Sequence, residues 1–174
     1  MEYNIDKAIE ILSRTPHVLK TLLHELSEEW TTNNEGPETW SPYDIVGHLI
    51  HGERTDWIAR MEITLSNGEN KKFAPYDRFA QFTESKGKSL SSLLEEFRSL
   101  RENNLNVLRS KNINGEMLEK KGIHPSFGEV TLRQLLSTWV VHDLGHIGQI
   151  VRVMSKQLKT EVGPWEEYLS VLHK

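Results

Sequence analysis

Apolar residues recur every three or four positions through most of this chain, and that spacing marks amphipathic helices. Over residues 4–28, Ile5, Ala8, Ile9, Leu12, Leu19, Leu22, Leu23 and Leu26 form one stripe, with Asp6, Lys7, Glu10 and Arg14 opposite. Pro16 interrupts the run, because proline inside a helix lacks a donor and clashes with the preceding turn. The pattern predicts a kink there, or two abutting helices with Pro16 in the first turn of the second. A second run opens at Ser41-Pro42-Tyr43-Asp44: a capping serine, a proline at the first helical position and an acid in the first turn. Val46, Leu49, Trp57, Met61 and Leu65 carry its stripe, and Asn67-Gly68 closes it. Ser89 caps a third run to about Arg109, with Leu90, Leu93, Leu94, Phe97, Leu100, Leu105 and Leu108 inward. Glu95, Glu96, Arg98, Arg101 and Glu102 are assigned to its solvated face. Thr131 caps a fourth run that continues to about Lys156.

The connectors are unequal. Residues 31–37 are rich in helix breakers. Residues 67–88 are polar and carry Phe73, Pro75, Tyr76, Phe79 and Phe82 without period, which reads as a long loop or short helical turns. Their aromatics are expected to patch the outside of the core rather than to lid a cavity. The connector over 112–130 holds His124-Pro125-Ser126-Phe127-Gly128, which is turn chemistry, so a structural role is expected for His124. A short closing helix begins near Pro164, and no stretch reads as a strand. Four long amphipathic helices in one domain over residues 1–174 define an all-α four-helix bundle. The cores of such bundles assemble metal sites from side chains on facing helices.

Composition narrows the function classes. A net charge of −4, a pI near 6.1 and no Lys/Arg cluster argue against a nucleic-acid partner. The absence of cysteine removes disulfides, cysteine-based zinc sites and any protein thiol nucleophile. No stretch approaches the roughly 20 apolar residues of a membrane span. Residues 1–15 contain no signal-like apolar run. A soluble, cytoplasmic protein without a membrane partner is the expectation.

Candidate chemistry concentrates in Trp139-Val140-Val141-His142-Asp143-Leu144-Gly145-His146-Ile147-Gly148-Gln149. Histidines four apart on a helix share a face one turn apart, so both imidazoles can reach a single metal ion. Leu135, Trp139, His142, His146, Ile150 and Val153 fall on one stripe, which turns the imidazoles inward. Inward histidines are either metal-bound or satisfied by hydrogen bonds, and this stretch alone leaves both readings open. Near the start of the second run lies Gly47-His48-Leu49-Ile50-His51-Gly52-Glu53, whose glycines allow another helix to approach closely.

Together, Trp40-Ser41-Pro42-Tyr43-Asp44-Ile45-Val46-Gly47-His48-Leu49 and the His142 to Gln149 stretch resemble the DinB/YfiT-like metalloprotein family, over nearly the whole chain from Ile11 to Trp165. The resemblance implies a DinB-like four-helix bundle with one His of the second helix and two of the last binding a divalent metal: His48, His142 and His146. Three neutral imidazoles leave a position open for water or substrate, the pattern of catalytic rather than structural zinc. Zinc or nickel are the expected ions, with iron or manganese as alternatives, since imidazole discriminates poorly among them. Asp143, Gln149, Glu53 and His51 are candidates for supporting or acid–base roles, and His51 also for an alternative ligand. Asp143 lies about 100° round the helix from His142, so contact with solvent is its plainer expectation. His17, His24 and His173 receive no role.

Three functions follow. Relatives in the wider family are bacillithiol- or mycothiol-dependent enzymes, so the resemblance implies a metal-dependent transferase joining a low-molecular-weight thiol to a small-molecule electrophile. A metal-dependent hydrolase is the second, because His142-Asp143-Leu144-Gly145-His146 mimics His-Glu-x-x-His with aspartate for the glutamate base. The third is a non-catalytic, stress-associated metal-binding or dimerising protein. Bundles of this kind often pair through an exposed apolar stripe, so a homodimer is among the expected assemblies.

Overall fold

Four capped helical runs carry the fold in the computed structural model, which describes residues 2–173. The first run is two helices, α1 (Ile5–Leu12) and α2 (Thr15–Leu23), with Pro16 in the first turn of α2. It ends at Leu23 rather than near residue 28: His24 is extended, Glu25 is left-handed (φ 63°), and α3 (Glu28–Thr32) follows as a separate short helix. The second run is α4 (Pro42–Thr55) and α5 (Trp57–Leu65), bent at Asp56 (φ −107°, ψ −79°). Backbone bonding continues through the bend, from Asp56 N–H to the Gly52 carbonyl (3.0 Å) and from Arg60 N–H to the Asp56 carbonyl (2.9 Å). After α6 (Gln81–Glu84) come α7 (Leu90–Ser110), α8 (Gly115–Leu118) and α9 (Leu132–Lys156), and 3₁₀ turns close the chain at Gly163–Tyr168 and Ser170–Leu172.

The helices that matter most start with reciprocal caps. The Ser41 amide donates to Asp44 Oδ2 (2.9 Å), while the Asp44 amide donates to Ser41 Oγ (3.2 Å). Thr131 and Gln134 repeat the arrangement at α9, at 2.8 and 3.2 Å. Each box satisfies two otherwise orphaned amides and so fixes where its helix begins. Gly47 is required for packing: a Cβ there would collide with the Ser85 hydroxyl at the end of α6.

The chain does contain strands. β1 (Lys121–His124) and β2 (Gly128–Thr131) pair antiparallel, with Lys121 opposite Thr131 and His124 opposite Gly128. The connector after α5 docks on this hairpin, from Ile123 N–H to the Lys71 carbonyl (2.8 Å) and from Phe73 N–H to the Ile123 carbonyl (2.9 Å). Strands of four residues interrupted by Gly122 offer no alternation to detect. Gly122 is there because the Phe73 ring fills the space a Cβ would need.

Two apolar clusters form the core. One gathers Leu12, Trp57, Met61, Leu105, Leu108, Leu132, Leu136 and Trp139. The other gathers Leu19, Leu23, Val46, Ile50, Leu93, Phe97 and Ile150. Helices α7 and α9 and the bent α4–α5 pair each run from one cluster to the other. In the interval each carries a buried charged side chain: Glu53, Arg101 and Asp143. No helix among the described residues is long and apolar enough to cross a membrane.

Candidate metal centre

His48 reaches the site from α4, two turns beyond the Ser41 cap, and His142 and His146 reach it from one face of α9. The His142 Nε2 lies 3.2 Å from His48 Nε2 and 3.1 Å from His146 Nε2. A candidate ligand atom from each of the three residues lies within 4.8 Å of the others, so the group could hold a metal ion. The two measured spacings are close to the edge of about 3.3 Å for a tetrahedron with metal–nitrogen bonds of about 2.05 Å.

The protonation chemistry agrees. His146 Nδ1 lies 2.8 Å from Gln149 Oε1, an acceptor only, so Nδ1 carries the proton and the Nε2 lone pair faces His142. Tyr76 Oη lies 3.4 Å from His48 Nδ1 and 3.4 Å from the His48 carbonyl, on the side of the ring away from the other imidazoles. His142 Nδ1 is buried without a hydrogen-bond partner among the described residues. Three Nε2 atoms crowded together favour a shared cation over three separate protons. Aromatic rings fix the imidazole planes: Trp40 lies 4.7 Å from His48, and Trp57 meets His142 edge-on at 5.0 Å.

Burial holds these imidazoles neutral, the form that binds metal. It pulls His48 down to about 3, with His146, His51 and Arg78 adding to the effect. It pulls His142 down to about 2, with His146, His48 and Arg101 in support. His146 is also lowered by burial, against the opposing hydrogen bond to Gln149. Since both folded values lie below the unfolded value of about 6.5, the associated stability is complete above that pH and is lost as pH falls towards 3. Metal-free protein should therefore lose up to about 1.4 kcal/mol per pH unit per imidazole below pH ~6. Urea unfolding in chelator, across about pH 7 to 5, should show a shallower pH slope for the His48→Gln/His142→Asn variant than for wild type. Equal slopes would remove the buried neutral pair.

The other candidates fall elsewhere. His51 does not join the triad; its Nδ1 lies 3.1 Å from Glu84 Oε1 on α6. Asp143, expected to meet solvent, is instead fully buried, and Arg101, assigned to a wet face, is buried against it. The Arg101 guanidinium donates to Asp143 Oδ2 (2.6 Å) and Oδ1 (3.0 Å), to Glu53 Oε1 (2.8 Å) and to the Leu12 carbonyl (2.7 Å). Trp139 Nε1 and Asn104 Nδ2 also donate to the Glu53 carboxylate, at 3.1 and 3.0 Å. Burial pushes Glu53 upward against the pull of Arg101. Asp143 and Glu53 thus brace α4, α7 and α9 and do not face the imidazoles, while Gln149 supports a ring nitrogen.

The triad opens on a cavity of about 1070 Å³. Phe73, Tyr76, Phe79 and Phe82 all line it, so the connector aromatics form its wall rather than a patch outside the core. His124 lines it as well, in a turn where its Nδ1 accepts from the Ser126 amide (3.1 Å). Asp56, not singled out from the sequence, lies on the same wall at the helix bend, paired with Arg60 at 2.9 Å. Burial pushes its carboxyl up to about 6, opposed by Arg60 and His51.

A bundle of this topology with a three-histidine group places the molecule among helical proteins that could bind a metal, and the family follows from the sequence match. The chain belongs to the DinB superfamily, whose profile matches residues 11–150. No curated protein matches it. Among solved structures it is similar to YfiT from Bacillus subtilis, described as a probable metal-dependent hydrolase with an unusual four-helix bundle topology. The identity is 21%, the TM-score 0.72, and the match covers 93% of this chain and 94% of YfiT. It is also similar to TT2238, a four-helix bundle protein, at 17% identity and a TM-score of 0.50, over 83% of this chain and 95% of that one.

Proposed function

We propose that this protein is a metal-dependent transferase that joins a low-molecular-weight thiol to a small-molecule electrophile. One observation carries the reading: three neutral imidazoles face a large cavity, while the carboxylates beside them in sequence, Asp143 and Glu53, are held by Arg101. A divalent cation held by His48, His142 and His146 would supply Lewis acidity, lowering the pKa of a thiol or water bound to it. Gln149 keeps the His146 lone pair directed inward, and Trp40 and Trp57 restrict the His48 and His142 rings. Asp56 lies on the cavity wall, where its carboxylate would accept a proton released during the reaction.

Hydrolysis is the second reading, supported by the likeness to YfiT. The base suggested by the His-Asp-x-x-His pattern is not available to it, because Asp143 is turned towards Arg101. A thiol is far more acidic than water before any metal acts on it and so has less need of that base, which favours transfer.

The test uses untagged protein loaded with zinc or with nickel. Arylation of bacillithiol or mycothiol by a chloronitroarene should require both enzyme and thiol and should cease on chelation. Thiol-independent, chelator-sensitive cleavage of p-nitrophenyl esters would replace transfer with hydrolysis. Bound metal without either turnover would leave a non-catalytic metal-binding protein.

A further inference from the structure

Phe79, Phe82 and Phe127 are 57%, 49% and 77% exposed, although burying a phenylalanine is worth about 1.5–3 kcal/mol. They come from two separate segments yet line one cavity, the one that holds the histidine triad. Clustered exposed aromatics of this kind mark interaction sites.

Their geometry is that of stacking surfaces. Phe79 and Phe82 lie nearly parallel, with ring centroids 6.3 Å apart and planes 15° from parallel. Phe127 lies flat on His124, at 4.4 Å and 14°. The hairpin turn holds that pair in place: His124 Nδ1 accepts from the Ser126 and Phe127 amides, and Gly128 takes the left-handed φ of 71° that lets the chain return. A ring bonded into its own turn is not a loosely placed surface side chain.

Charge narrows the ligand. Of the three arginines on this cavity, Arg60 is paired with Asp56 and Arg152 with Glu35. Arg78 forms no ion pair among the described residues, and its guanidinium lies 5.6 Å from the Phe79 ring centroid. Among the described residues Arg78 is thus the cavity arginine without a carboxylate partner, and it lies against the aromatic wall.

We propose that this part of the cavity binds a planar aromatic electrophile bearing a negatively charged substituent. Phe79, Phe82 and Phe127 stack on its ring, and Arg78 meets its charge. The proposal rests on the transferase reading for the word electrophile and supplies the substrate class that reading lacks. The volume of about 1070 Å³ is at the upper end for small-molecule sites, with room for an aryl group and a thiol together.

Isothermal titration calorimetry with naphthalene-2-sulfonate, which cannot react, tests the site apart from the chemistry. The full chain should bind it with and without chelator. Phe79→Ala and Phe127→Ala should each weaken binding by about threefold to tenfold, the scale of one aromatic contact. Arg78→Gln should weaken the sulfonate while leaving the uncharged 2-naphthol unchanged. Trp165→Ala, at a residue 69% exposed but away from the cavity, should have no effect. Absence of binding, or equal weakening by Trp165→Ala and Phe127→Ala, would overturn the site. So would Phe79→Ala and Phe127→Ala that leave sulfonate binding intact but dissociate a dimer in sedimentation, since a second copy would then cover the rings. Sulfonate binding without thiol transfer would retain the site and remove the transferase reading, and transfer without it would do the reverse.

Discussion

Replacing Arg101 with methionine is expected to destabilise the protein by about 3–5 kcal/mol, the cost of breaking a buried ion pair from one side. Methionine keeps much of the volume and removes the charge. What remains is two carboxylates, Glu53 and Asp143, both without side-chain exposure and without the cation that faced them. The Leu12 carbonyl loses its donor as well, so the connection to α1 loosens too. Against a total stability of about 5–15 kcal/mol for a domain, the loss is large.

The pH dependence gives a second readout. Burial already pushes Glu53 upward, and without Arg101 nothing comparable opposes it. A carboxyl whose folded pKa is raised contributes stability present below its unfolded value of about 4.3 and lost as pH rises through the folded value. The difference between wild type and variant in urea unfolding should therefore widen as pH rises above about 4.3 and narrow as pH falls towards it. Adding Glu53→Gln and Asp143→Asn to Arg101→Met should recover part of the loss. A difference under about 1 kcal/mol at pH 8 would reject the triad as a brace.

His142→Ala is expected to have the largest effect on metal. Its Nε2 is the atom close to both partners, at 3.2 and 3.1 Å, so its removal leaves two imidazoles on different helices. Affinity should fall by more than the roughly 10- to 100-fold typical of changes behind a ligand. Metal analysis of untagged, reconstituted protein should find near one ion per chain in wild type and almost none in His142→Ala. His24→Ala, beyond the end of α2, should match wild type. Because the ion would join α4 to α9, metal at about 100 times its Kd should add about 2.7 kcal/mol, or a Tm rise of roughly 5–11 °C. Chelator should reverse that rise in wild type and leave His142→Ala unchanged. Equal metal content in the His142→Ala and His24→Ala proteins would remove the centre.

Much of the scaffold was legible because its signals are local. Ser41 with Asp44, and Thr131 with Gln134, satisfy their own helix starts over three residues, so both boundaries could be read without knowing the fold. The His142 and His146 pair shares a face by helical period alone. Arg101 shows where local reading stops. Leu94, Phe97, Arg101, Leu105 and Leu108 follow the core spacing, as do Val46, Ile50, Glu53 and Trp57. The charges thus stood inside apolar stripes, a signal that was present. Setting Arg101 with its charged neighbours placed it in solvent, because only a partner on another helix makes a buried guanidinium tolerable. Asp143 was misplaced for the same reason.

The sequence by itself determined the four helical runs apart from the early end of the first at Leu23, the caps at Ser41, Ser89 and Thr131, and the inward histidines, since these depend on contacts within a few residues. Only the tertiary structure decided that His51 turns to Glu84, that Asp143 and Glu53 meet on Arg101, and that Phe79 and Phe127 share one cavity. Those outcomes depend on residues tens of positions apart, whose encounter is set by how the helices pack and by the cost of leaving a buried charge unpaired.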